Sequence, residues 1–272
     1  MTTSTVTSWN ISTYLLPPNP GTETDDAPAK VALIMLNQPL CAPRHLQNLW
    51  SHASIRLCAD GGANRLYDLF TTDQERLKFL PDVIRGDLDS VRPEVKDWYA
   101  SQGVPVVKVA CEYSTDFGKC VAHIEEVEEA NGGVRHEIVA LGALGGRLDQ
   151  TLSSVFMLYQ LQKKDTEQGK ERRKVYLMSN ESIAVLLNPE NKHQITCDMS
   201  FEGPTCGLIP VSGTALVESS GLKWNLDHSM PMSFHSMIST SNWFADGDEK
   251  IKVVELATDA PIVWTVEVTL AK

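Results

Sequence analysis

Short apolar runs separated by polar and turn-forming residues dominate the first two thirds of the chain. Residues 30–36, 55–59, 82–85, 104–109, 137–141 and 174–178 read as strands. Between them, residues 44–52 place Leu46, Leu49, Trp50 and Ala53 on one face, and residues 115–130 and 148–163 repeat that helical spacing. Alternating strands and helices of this kind predict a mainly parallel sheet with helices on both faces. After about residue 180 the pattern changes to short strand-like runs with Gly, Pro, Ser and Asn between them. Ile262, Trp264, Val266 and Val268 alternate with Val263, Thr265, Glu267 and Thr269, the period of a strand with one buried face. The fold class expected is therefore α/β, a Rossmann-like sheet at residues 29–180, followed by an all-β domain at residues 181–272. Residues 1–28 carry no apolar periodicity and are expected to be a disordered or loosely docked tail; residues 163–174 are charged and expected as a solvated helix end or loop.

Composition narrows the partners. The 272 residues are 42% hydrophobic, enough for a substantial core, and the formal net charge is -11. That charge argues against broad contact with nucleic acid or an anionic membrane, each of which needs basic clusters. No apolar run has the length to span a bilayer and the first 28 residues do not resemble a secretory signal, so the expected location is cytoplasmic. The six cysteines, at positions 41, 58, 111, 120, 197 and 206, show no metal-site spacing and read as reduced thiols, with Cys58 buried in an apolar run.

Candidate chemistry sits where the predicted strands end, the place where open α/β sheets collect ligands. Asp87 and Asp89 follow one strand, Asp60 ends another and Asp116 opens a helix. Were residues 87–89 extended, both carboxylates would point the same way, and two carboxylates about 4 Å apart repel by about 4 kcal/mol at an effective dielectric near 20, which calls for a cation. Magnesium, a hard ion, suits such oxygen ligands. Taken alone, an Asp-x-Asp turn is more often a solvated loop or helix cap than a metal site. Gly61 and Gly62 permit a tight strand-to-helix turn with backbone NH groups open to an anion, or a plain turn. A second glycine loop, with Gly145 and Gly146, is followed by Arg147, which is suited to phosphate oxygens. Neither loop is a Walker loop or a GxGxxG fingerprint, and no HExxH or GxSxG motif is present.

Together these residues resemble the thiamin pyrophosphokinases of eukaryotic type. The carrying segments are Asp60-Gly61-Gly62-Ala63-Asn64-Arg65, Gly86-Asp87-Leu88-Asp89-Ser90, Thr115-Asp116-Phe117-Gly118-Lys119-Cys120 and Gly145-Gly146-Arg147-Leu148-Asp149-Gln150, in that order. The β-rich part adds segments around Gly207, Gly221-Leu222-Lys223-Trp224, Ser239-Thr240-Ser241-Asn242 and Trp264. The resemblance implies transfer of pyrophosphate from ATP to the hydroxyl of thiamin, giving thiamin diphosphate and AMP. It also implies a β-sandwich as the second domain, and a homodimer with clefts shared between subunits. Residue by residue, it implies Asp87, Asp89 and Asp116 as catalytic Mg2+ ligands. The ATP-contacting set is Asp60, Gly61, Gly62, Asn64, Arg65, Gly86, Lys119, Gly145, Gly146, Arg147, Asp149 and Gln150. Around thiamin stand Glu112, Trp224, Ser239, Ser241 and Asn242, with no general base evident. Trp224 fits a cation–π partner for the flat cationic vitamin or a core strand residue. Glu112 and Gly118 stand where the family commonly has Gln and Thr. A non-catalytic thiamin- or nucleotide-binding protein of the same fold is the alternative.

Overall fold

The computed structural model describes residues 5–18, 30–40, 43–111 and 113–269. The chain divides into two compact units, Pro17–Asn180 and a second that joins Met1–Leu16 to Glu181–Lys272. It opens with strand β1 (Val6–Trp9) and a one-turn helix α1 (Ser12–Leu15), and both belong to the second unit.

In the first unit the strands are β2 (Val31–Met35), β3 (Ala53–Ala59), β4 (Val83–Gly86), β5 (Val106–Lys108), β6 (Glu137–Leu141) and β7 (Val175–Met178). The intervening helices are α2 (Pro43–His52), α3 (Gly62–Asp68), α4 (Asp73–Arg76), α5 (Pro93–Ser101), α6 (Asp116–Ala130) and α7 (Leu148–Glu167). Every strand pairing is parallel, in the order β7-β6-β2-β3-β4-β5. All five residues of β2 are buried, as a central strand covered on both faces requires. Phe117, Cys120, Val121 and Ile124 recur at helical spacing and bury one face of α6. The chain leaves β2 toward β3 and returns on its other side at β6, so the carboxyl ends of β2 and β6 diverge into a crevice. Helix α7 runs four residues beyond the expected end, into the charged stretch, where Lys164 pairs with Glu125 of α6 at 2.6 Å and Asp165 is buried against Arg135 and Arg173. Those ionic partners are distant in sequence, and no local periodicity announces them.

The second unit adds β8 (Ser182–Leu187), β9 (Lys192–Asp198), β10 (Glu202–Ile209), β11 (Val217–Ser220), β12 (Ser239–Trp243), β13 (Ile251–Thr258) and β14 (Ile262–Val268). Strands β12, β10, β14 and β8 pair antiparallel in that order. A separate sheet has the order β1-β9-β13-β11, antiparallel except that β1 joins β9 in parallel. On β14 the expected alternation is present, with Val263 buried as well.

The expectation of a tail over residues 1–28 is corrected for the described residues 5–16. Trp9, Ile11, Tyr14 and Leu15 are all buried. Trp9 Nε1 donates to His193 Nδ1 at 3.1 Å, the Ser12 hydroxyl donates to the buried Glu202, and the Asp198 N–H donates to Ser12 Oγ at 3.1 Å. Four apolar residues in a polar stretch are too few to make a period, and their partners lie more than 180 positions away.

Candidate active site

Strand β3 ends at Ala59, and Asp60 follows with φ of 43°, a left-handed backbone uncommon for a residue with a side chain. The twist directs its buried carboxylate at the loop after β4. Its Oδ2 accepts from Ser90 N and its Oδ1 from Val91 N, both at 3.0 Å. Asn64, in the first turn of α3, braces the same loop: its Nδ2 donates to Ser90 O at 2.8 Å and its Oδ1 accepts from Arg92 N at 3.0 Å. Leu88 is also left-handed, with φ of 64°. Residues 87–89 are therefore a turn, and the expectation that an extended segment aims Asp87 and Asp89 together is corrected.

Asp87 meets Asp60 and Asp116 instead. One carboxylate oxygen from each of these three lies within 4.8 Å of the others, and among the described residues they form the one three-residue group of metal-ligating type. Asp89 lines the same cleft, where its Oδ1 accepts from Ser90 Oγ at 2.9 Å. Gly86 makes the meeting possible. A Cβ there would lie 2.7 Å from Asp60 Cβ and 3.0 Å from Asp116 Oδ1, so the carboxylates fill the space a side chain would take.

The only ammonium bonded to the trio among the described residues is buried Lys119, 3.3 Å from Asp87 Oδ2 and 2.9 Å from Asp116 Oδ1. Three carboxylates against one ammonium leave an excess of negative charge, and an oxygen-rich donor set of this kind fits a hard divalent cation. Burial pushes the Asp60 carboxyl above the usual range, with the nearby Asp116 adding to it against the opposing Ser90 and Val91 N–H bonds. Burial also acts to raise Asp87, but the Asp89 N–H and the Lys119 ammonium outweigh it and hold that carboxyl low.

The cleft has a volume of about 360 Å³. Besides the acids it is lined by Gly61, Gly145, Arg147 and Gln150 from the expected set, and by Asn37 and Gln38 at the end of β2. Asn37 and Gln38 are the residues that sequence reasoning missed; polar side chains directly after the first strand of the sheet were the available signal. Gly62 stands behind the cleft, where a Cβ would come 2.1 Å from the Met35 carbonyl. Arg65 donates to Asn37 Oδ1 at 2.8 Å, and Gly146 leaves room for the Gln38 amide. Arg147 is largely exposed and paired with Asp149 at 2.6 Å. Thr115 caps α6 by accepting from Gly118 N at 3.1 Å, so that N–H serves the helix.

In the second unit Trp224 is 54% exposed, which removes the core-residue reading. Asn242 is buried, and its amide binds the backbone of both Trp224 and Trp243 as well as Ser239 Oγ. Ser241 is exposed and left-handed, with φ of 57°. Glu112 lies outside the described residues.

Residues 46–168 match the family described as thiamin pyrophosphokinase, catalytic domain, and residues 192–263 match thiamin pyrophosphokinase, vitamin B1 binding domain. Thiamine pyrophosphokinase 3 of Oryza sativa subsp. japonica is 40% identical over 88% of this chain and 87% of its own length. Thiamine pyrophosphokinase of Saccharomyces cerevisiae is 32% identical over 78% of each chain. Among solved structures, thiamin pyrophosphokinase from Candida albicans superposes with a TM-score of 0.80 at 25% identity, covering 98% of this chain and 93% of that one. The yeast enzyme gives 0.80 at 28% identity, covering 98% and 92%. With both parts of the chain matched in order and relatives above 30% identity along most of its length, this protein belongs to the thiamin pyrophosphokinase family.

Proposed function

We propose that this chain transfers the pyrophosphoryl group of Mg2+-bound ATP to thiamin, giving thiamin diphosphate and AMP. The observation that carries the mechanism is the convergence of Asp60, Asp87 and Asp116 beside a cleft edged by glycine turns. The first unit is read as a Rossmann-like nucleotide domain, on the strength of its parallel strand order. The second is read as a vitamin-binding β-sandwich, on the strength of its two sheets and its family match.

In this reading Asp87 and Asp116 hold the ion, Asp60 fixes the loop that presents Asp87 and adds charge, and Asp89 stands at the cleft rim. Bound Mg2+ supplies charge neutralisation along the phosphates and a template for in-line displacement. Lys119 pairs with Asp87 and Asp116 and holds the two carboxylates in alignment. Gly61 and Gly145 let backbone approach the phosphates, and Arg147 turns from Asp149 to a phosphate oxygen. The thiamin hydroxyl oxygen bonds to the β-phosphorus as the bond from that phosphorus to the α-phosphate oxygen breaks; the hydroxyl proton passes to solvent and AMP departs. Catalysis of this kind rests on alignment and electrostatics.

A cytoplasmic homodimer completes the proposal. It accords with the net charge of -11 and with there being no helix among the described residues long and apolar enough to cross a membrane. The test is product analysis of the full chain with ATP, thiamin and Mg2+. AMP and thiamin diphosphate in equal amounts, formed only when all three are present, are expected; ADP as the sole nucleotide product refutes the reading.

A further inference from the structure

Strand β2 stands where the sheet connections part, with β3 on one side and β6 on the other. Asn37 and Gln38, just beyond its end, line the cleft together with Gly61 and Gly145 from the turns after β3 and β6. Their backbone is pinned on both sides: Leu36 N donates to Leu141 O at 2.8 Å, Gln38 N to Leu36 O at 2.9 Å, and Asn180 Nδ2 to Pro39 O at 2.9 Å.

Each side chain packs on a different turn. A Cβ at Gly61 would run into the Asn37 amide, 2.7 Å from its Cγ. The backbone at Gly61, with φ of -60°, lies in the ordinary right-handed region, so it is Asn37 and not the chain conformation that demands glycine there. Asn37 Oδ1 also accepts from Arg65 Nε at 2.8 Å, which ties the first turn of α3 to the end of β2. On the other side, a Cβ at Gly146 would run into the Gln38 amide, 2.8 Å from its Cδ, and one at Gly142 would lie 3.2 Å from Gln38 Cβ. Atoms packed this closely transmit a change of size to their neighbours. Two side chains from one pinned dipeptide thus fill the space beside both glycine turns.

We propose that Asn37 and Gln38 are positioning residues, a two-pronged wedge that sets how far apart the two glycine turns stand. The inference rests on the reading of this cleft as the Mg·ATP site, and it concerns what holds the phosphate-facing backbone rather than a contact with the nucleotide. Turns already held in their bound arrangement lower the ordering cost of binding, and a missing prong restores that cost. Gln38 acts through its volume, so an apolar side chain of equal length replaces it. Asn37 acts through its bulk and its bond to Arg65.

Calorimetric titration of the full chain with Mg·ATP, and separately with thiamin, tests this. Q38A and N37A are each expected to weaken Mg·ATP binding by about five-fold or more and to leave thiamin affinity at the parent value. Q38M, which keeps the length of the side chain without its amide, should stay within about two-fold of the parent. G61A should weaken Mg·ATP binding by a similar factor to N37A, and the double variant N37A/G61A should bind within about two-fold of N37A, because the added methyl enters the space the amide leaves. Q38M as weak as Q38A would make the amide itself the ligand contact and overturn the wedge. Parent-like Mg·ATP affinity in both truncations, or losses that multiply in N37A/G61A, would overturn it as well. Melting curves identify the folded variants, and because the prongs are truncated separately, one variant that unfolds leaves the other to decide. Failure of the parent chain to bind Mg·ATP overturns the functional reading and the wedge together.

Discussion

A methyl group at position 86 would sit 2.7 Å from Asp60 Cβ and 3.0 Å from Asp116 Oδ1, and neither neighbour can retreat without moving a carboxylate. Gly86→Ala is therefore expected to lower turnover by more than about ten-fold while the thermal midpoint falls only modestly, a separation read from initial rates and a melting curve. Asp87→Ala should cost about 100-fold or more in turnover with the fold retained, since its side chain is 45% exposed and its loop stays tied to Asp60 and Asn64. Unchanged kinetics would remove Asp87 from the metal set. At this scale the sequence revealed that acids gather at strand ends, because Asp60, Asp87 and Asp116 each follow a legible apolar run or open a legible helix. It did not reveal which acids meet. Asp60 replaces Asp89 in the trio because Asp60 and Leu88 are left-handed, a backbone state that neither residue type announces. Nor did the sequence reveal that both ends of the Asn64 amide hold the adjoining loop.

Strand β1 and helix α1 show what the apolar pattern passes over. They cover the edge of β9 and bury Trp9, Ile11, Tyr14 and Leu15. Full burial of such side chains contributes about 1.5–3 kcal/mol each, so deletion of residues 1–16 should destabilise the second unit severely and expose an edge prone to aggregation. Denaturant unfolding of the truncated chain checks this; a parent-like midpoint would contradict it. The anchoring contact also carries a pH dependence. Burial raises the Glu202 carboxyl to about 7, against the Ser12 and Asp198 hydrogen bonds that lower it. A folded-state value above the unfolded one means that the unfolded chain binds fewer protons between the two, so this group's contribution to stability falls as pH rises from about 4.5 to about 7 and stays reduced above that. Glu202→Gln should abolish that fall and make the protein more stable at pH 8 by about 1–3 kcal/mol, as read from denaturant midpoints at pH 5 and pH 8. The parallel strands were legible because each is a short apolar run between helices. The partners of β1 were not, since pairing across more than 180 residues leaves no local trace.

For the molecule as a whole, the pattern along the chain changes near residue 180, and the first compact unit ends at Asn180. The return of the first 16 residues to the second unit could not be read from the same pattern. Light scattering of the purified chain should give twice the monomer mass, and a persistent monomer would contradict the homodimer in the proposed function. In the proposed function, one acid-lined cleft moves two phosphates together from ATP to thiamin. ATP carrying a phosphorus label at the β position tests it most directly. The label is expected in thiamin diphosphate, on the phosphate next to the vitamin, with AMP unlabelled; label retained in ADP would overturn the transfer.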